Sequence, residues 1–125
     1  MDDQKFIKQL NEVQDLMQQE KYQEAVILIE KLKEFEKKNN YDYNLTHRLY
    51  QLDSNAHSLY NQQVILHIIN DLSNRYDSIS FQELNQVLRE KNKLNLSNDI
   101  LQREIEILIL RNLISCRIDG EKLIF

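Results

Sequence analysis

The chain has 125 residues, of which 42% are hydrophobic and 29% charged, with a formal net charge of −4, one cysteine, one glycine and no proline. That length suffices for one domain, or two small packed units, with a core that needs no staples. The acidic balance argues against a free-standing nucleic-acid binder. The lone Cys116 excludes an internal disulfide and fits a reducing compartment, and a single glycine excludes a Gly-rich phosphate loop.

Residues 2–19 carry Phe6, Leu10, Val13 and Met17 at helical spacing, and Asp2 and Asp3 suit the positive end of a helix dipole. After a short polar break, residues 22–38 form a second amphipathic pattern. Its inner face is Ala25, Leu28, Ile29, Leu32 and Phe35, and its outer face is Lys and Glu at i,i+4 spacing. Two helices joined so closely make an antiparallel hairpin. Residues 37–43 read as a linker. A third helical pattern spans residues 44–74. Its stripe is Leu45, Leu49, Leu52, Ala56 and Leu59, and beyond Tyr60 it moves to Val64, Ile65, Ile68, Ile69 and Leu72. The shift predicts one long helix, or two nearly collinear ones, that changes packing neighbour near Tyr60-Asn61.

The order of elements then becomes specific. A short extended piece, Asp77-Ser78-Ile79, precedes Ser80, which reads as an N-cap with Glu83 completing a capping box. That helix runs to about Lys91 with Phe81, Leu84, Val87 and Leu88 inward. Residues 92–96 form a loop, and Ser97 caps a helix reaching about Asn112. Asp119-Gly120 between two apolar runs predicts a hairpin with those two residues as its loop. This register puts Cys116 opposite Leu123, Ile114 opposite Phe125 and Arg117 opposite Lys122, with one apolar face. The predicted fold is mainly α: an N-terminal helical hairpin, a long connecting helix and a C-terminal winged helix with a two-stranded wing. The division expected is 1–61 for the helical part and 62–125 for the winged helix.

No catalytic site is expected. His47 and His57 are ten residues apart with no Cys or carboxylate cluster at ligand spacing, so neither a metal nor a cofactor is anticipated. Cys116 reads as a small buried hydrophobe rather than a nucleophile. No Ser-centred elbow is present. The chain reads as non-enzymatic. Its N-terminus has no signal-peptide core and no apolar run is long enough to span a bilayer, so a cytoplasmic or nuclear location is expected.

Two recognition readings follow from the last third of the chain. In the first, partner proteins are held through the second face of the Ser97 helix (Ile107, Leu110) and through the last strand (Leu123, Ile124, Phe125), whose outer edge is expected to be free. The N-terminal hairpin (Tyr22, Ile27) and the tyrosines Tyr41 and Tyr43 add a second surface. In the second, Arg89, Lys91, Lys93, Arg117 and Lys122 contact phosphates of DNA or RNA within a larger complex. The Ser97 helix argues against the second reading, because Asp99, Glu104 and Glu106 outweigh Arg103 and Arg111. A homodimer through the long helix is a third possibility.

The segment Tyr76-Asp-Ser-Ile-Ser-Phe-Gln-Glu-Leu84, the apolar helix end over residues 105–114 and Arg117-Ile-Asp-Gly120 with its apolar finish resemble the winged helix of PCI domains. Those domains occur in subunits of the proteasome lid, the signalosome and a translation initiation factor. Upstream, Glu20-Lys-Tyr-Gln-Glu-Ala25 resembles the turn of a tetratricopeptide-like helix pair. The resemblance covers about residues 62–125 and implies a non-catalytic scaffold subunit that assembles with other proteins side by side.

Overall fold

The computed structural model describes residues 2–125. Helices α1 (Asp3–Gln18), α2 (Tyr22–Lys38) and α3 (Tyr43–Ser73) are followed by β1 (Ser78–Ser80), α4 (Phe81–Asn92), α5 (Asn98–Leu110), β2 (Arg117–Asp119) and β3 (Lys122–Ile124). The chain divides into two compact units, Met1–Tyr60 and Asn61–Phe125. Helix α3 is unbroken across residues 60 and 61. Its buried residues explain the moving stripe: Leu49 and Ala56 belong to the first unit's core, and Ile65, Ile68, Ile69 and Leu72 to the second's.

In the first unit, Asp2 caps α1 by accepting a hydrogen bond from the Lys5 N–H at 2.8 Å. The helix ends in a Schellman motif. Glu20 takes a left-handed φ of 60°, Lys21 N–H bonds the Leu16 carbonyl at 2.9 Å and Glu20 N–H the Met17 carbonyl at 3.0 Å. Glycine usually fills that position, and here a glutamate does. The turn sends α2 back along α1, so that Phe6, Leu10 and Val13 meet Ala25, Ile29, Leu32, Leu49 and Ala56 in one fully buried cluster. Phe35, expected on the inner face of α2, is 40% exposed instead. It lies at the last turns of the helix, beyond Leu32, the last fully buried position.

In the second unit, Ser80 Oγ accepts from Glu83 N–H at 3.1 Å and donates to Glu83 Oε1 at 2.9 Å. The predicted cap forms, although Glu83 closes on the hydroxyl and not on the Ser80 N–H. Ser97 caps α5 by accepting from Ile100 N–H at 3.2 Å, with no reciprocal side-chain bond because position 100 is an isoleucine. Helix α5 ends in a second Schellman motif, with Asn112 at φ 57° and Leu113 N–H on the Leu108 carbonyl at 3.0 Å. The core gathers Ile65, Ile68, Ile69 and Leu72 from α3, Phe81, Leu84 and Leu88 from α4, and Leu101, Ile105 and Leu108 from α5. Ile79, Ile114 and Leu123 complete it.

The hairpin forms, but not in the expected register. Asp119 pairs with Lys122, Ile118 with Leu123 and Arg117 with Ile124. The loop is therefore Gly120-Glu121, and Arg117 does not face Lys122. A loop of Asp119-Gly120 would need a positive φ at Asp119, whereas here only Gly120 has one, at 61°. The observed register also sets Asp119 against Lys122, an attractive pair where the expected one was repulsive. Because the pairing slips by two residues, side-chain parity survives: Ile118 and Leu123 share the core face, with Cys116 and Phe125 packed beside them. A Cβ added at Gly120 would meet nothing within 4 Å, so the cost of Gly120→Ala is conformational only. We expect about 1 kcal/mol of lost stability, read as a lower Tm with an unchanged far-UV spectrum.

A larger difference concerns the last strand. Where a two-stranded wing with a free final strand is expected, the sheet has three strands in the order β1-β3-β2. β1 pairs with β3 through Ser78–Ile124, Ile79–Leu123 and Ser80–Lys122. The ladder continues beyond both ends, with Phe81 N–H on the Glu121 carbonyl at 2.9 Å and Phe125 N–H on the Asp77 carbonyl at 3.0 Å. β3 is central, and its backbone is taken on both sides.

Candidate interaction surface

The pairing of β3 with β1 uses residues 121, 123 and 125 as the hydrogen-bonded positions, as the Phe81–Glu121 and Phe125–Asp77 bonds establish. Backbone groups of successive residues point to opposite sides of an antiparallel strand, so Lys122 and Ile124 turn theirs toward β2. Their partners Asp119 and Arg117 point back toward β3. The N–H and C=O of Ile118, between them, are directed outward and have no backbone partner among the described residues. The unpaired edge that the sequence placed on the last strand thus lies on β2.

Beside that edge runs a groove of about 380 Å³ lined by Glu106, Ile109 and Leu110 of α5 and by Cys116, Arg117 and Ile118. Leu110 is 81% exposed and Leu113, just past the helix, 45%. An unpaired strand edge therefore adjoins apolar surface that α5 turns away from its own core. Burial pushes the Cys116 thiol up, so at neutral pH it is a protonated, apolar part of the groove wall. The other face of the sheet carries Ser78, Ile124 and Arg117 in one cross-strand row and Ser80, Lys122 and Asp119 in the next.

The expected contact residues fare differently. Leu110 is open, and Ile107 and Ile124 are half-buried. Leu123 is fully buried and Phe125 packs against the core, which removes Leu123 as a contact and makes Phe125 chiefly a packing residue. Both point inward because alternate residues of β3 share the face that packs on the helices, with Ile79 and Ile118 beside Leu123. In the first unit, Ile27 is 53% exposed and Tyr22 half-buried. The tyrosines do not act as a group. Tyr41 stacks on buried Phe6 with ring centroids 4.2 Å apart, Tyr43 is 75% exposed beside His47, and the Tyr50 hydroxyl donates to Glu36 at 3.1 Å.

All five basic candidates are exposed, and none has an ion-pair partner among the described residues. They do not converge. Lys91 lines a groove with Ser78 and Ile79 of β1, Arg117 sits on β2 at the opposite edge of the sheet, and Lys122 is on the central strand. Glu104, counted in the sequence as a surface charge, is 1% exposed. Its Oε2 accepts from Gln62 Nε2 at 2.7 Å, and Arg111 donates to Gln62 Oε1 at 3.2 Å. Asn85 is also buried, tying α4 to the next loop through Leu96 O and Asn98 Oδ1.

Sequence spacing also missed a cluster in the first unit. Glu30, Asp53 and His57 each bring one potential ligand atom within 4.8 Å of the others. Asp53 stands four residues before His57, one helical turn away, and α2 supplies Glu30. The i,i+4 Asp–His pair was the readable signal. A lysine already serves as the cluster's cation: Lys33 Nζ is 3.2 Å from Asp53 Oδ2 and 3.5 Å from Glu30 Oε1. Burial pulls the Lys33 pKa down, but the hydrogen bond and charge of Asp53 together with Glu30 outweigh it and leave it raised. A raised lysine stabilises the fold at all pH values below its unfolded pKa near 10.5, and that contribution fades only as pH climbs above it.

Compared with family models, curated proteins and solved structures, the chain has no match in any of the three. No helix among the described residues is long and apolar enough to cross a membrane.

Proposed function

We propose that this chain is a non-catalytic scaffold or adaptor subunit whose C-terminal unit, residues 61–125, is a winged helix that docks partner proteins. The order helix, strand, helix, helix, hairpin supports the winged-helix reading, as does the central position of the last strand. The segments that resemble PCI winged helices fall on β1 with the start of α4, on the end of α5, and on β2 with its turn. One observation carries the functional reading: the outward backbone of Ile118 on β2 adjoins the exposed apolar side chains of α5, above all Leu110. A strand edge supplies hydrogen bonds to an added chain, and the apolar strip beside it supplies affinity and selection.

Full burial of a leucine at an interface is worth about 1.5–3 kcal/mol, or roughly tenfold or more in affinity. Tagged Leu110→Glu or Ile107→Glu protein is therefore expected to lose its co-purifying proteins. Leu110→Glu should melt within about 1 °C of wild type, because the side chain makes little use of the core. Quantitative mass spectrometry of matched pull-downs decides the matter. An unchanged partner set with Leu110→Glu overturns the proposal for this surface.

A further inference from the structure

We infer that the β2 edge is completed by a second copy of this chain, paired antiparallel about a two-fold axis through Ile118. The inference rests on the docking reading above and names its occupant. The argument lies in the charge pattern of the edge strand. β2 reads Arg117-Ile118-Asp119, with the unlike charges symmetric about the residue whose N–H and C=O point outward. In an antiparallel pair centred on Ile118, each copy's Ile118 exchanges both backbone bonds with its counterpart. Arg117 of each copy then stands opposite Asp119 of the other. This pairing provides two opposite-charge contacts and no like-charge one.

The groove fits the same geometry. Ile118 is on the core-facing side of the strand, so its counterpart's side chain enters the space walled by Ile109, Leu110 and Cys116. Arg117 and Asp119 lie on the opposite, exposed face, where charge complementarity sets the register without being buried. Shifting one strand against the other by two residues sets Asp119 against Asp119 in one direction and Arg117 against Arg117 in the other, so the register centred on Ile118 is the one without a like-charge contact. Two three-stranded sheets become one of six strands.

The test is the solution mass as a function of concentration, by light scattering or sedimentation, up to about 1 mM. Wild type is expected to move from 15.1 kDa toward twice that value. Arg117→Glu alone faces two carboxylates with two carboxylates, and Asp119→Arg alone faces two cations with two cations. Each is expected to weaken association about tenfold or more. An equimolar mixture of the two variants restores complementary charges at both contacts and is expected to associate at least as well as wild type. Circular dichroism confirms that each variant is folded. Leu110→Glu, whose side chain is too exposed to threaten the fold, is a second route and should also favour the monomer. A wild-type chain that stays monomeric throughout, or a mixture that fails to recover association, overturns the inference. If Leu110→Glu still strips partner proteins in that case, the docking surface stands and a different chain occupies it.

Discussion

Leu123→Asp is expected to unfold the C-terminal unit, and Leu123→Ala to destabilise it by about 2–5 kcal/mol. Leu123 is fully buried at the middle of the central strand, with Ile79 of β1 and Ile118 of β2 directly opposite it on the two sides. Truncation removes contacts with both neighbours and with the helical core, and β3 cannot shift to fill the space because both ladders hold it in register. A carboxylate in the same place has no partner, and the stability of a small domain, about 5–15 kcal/mol, does not cover that cost. Urea unfolding followed by far-UV circular dichroism measures both variants. The comparison with Leu110→Glu is what matters: two apolar residues that sequence reasoning placed together as contacts should separate into one that controls folding and one that controls association. If Leu123→Asp keeps the wild-type midpoint, β3 does not occupy the centre of the sheet.

Helix content was legible because it rests on local signals. α2 begins and ends where the 3.6-residue pattern does, Ser80 and Ser97 cap the helices they were read to cap, and the displacement of the stripe in α3 marks the junction of the two units. What escaped was non-local. Nothing in Asp77-Ser-Ile79 announces that it will pair with a strand some 45 residues later, and without that pairing the last strand looks like an edge. The turn was misplaced by one residue because Asp-Gly suits a type I′ loop in isolation, whereas a loop starting at Gly120 asks for a left-handed φ only at the glycine. In the sequence Glu104 is one charge among several on the Ser97 helix, and Asn85 carries no apolar signal that would place it inside. Their burial depends on partners at Gln62 and Asn98, across helix pairs that no periodicity specifies. The groove beside β2 was half legible. Leu110 stood out as apolar on a second helix face, but the strand edge beneath it exists only once the sheet order is known.

The Gln62–Glu104 contact makes the sharpest prediction about the core of the second unit. Glu104 is 1% exposed and takes a 2.7 Å hydrogen bond from Gln62, which is 7% exposed. The Arg103 ion pair at 3.3 Å is formed by a side chain 63% exposed to solvent, so water and salt screen it and its contribution is small. Gln62→Leu therefore withdraws a buried donor from a buried carboxylate. A hydrogen bond to a charged group contributes about 1.5–3 kcal/mol, and removing one buried partner exposes the desolvation cost of the other, so a loss of about 2–4 kcal/mol is expected. The Arg111 guanidinium loses its Gln62 acceptor in the same variant but is exposed and can turn to water. Glu104→Leu alone takes one acceptor from a neutral amide and should cost less. The double variant replaces both polar groups with apolar ones of similar size and should be no worse than the milder single, because the unsatisfied group is gone. A coupling of at least about 1 kcal/mol between the two substitutions, measured by a urea double-mutant cycle with constant m, is the expected result. Additivity within about 0.5 kcal/mol would mean that Glu104 is held by its other surroundings and that the amide at Gln62 is incidental to its burial.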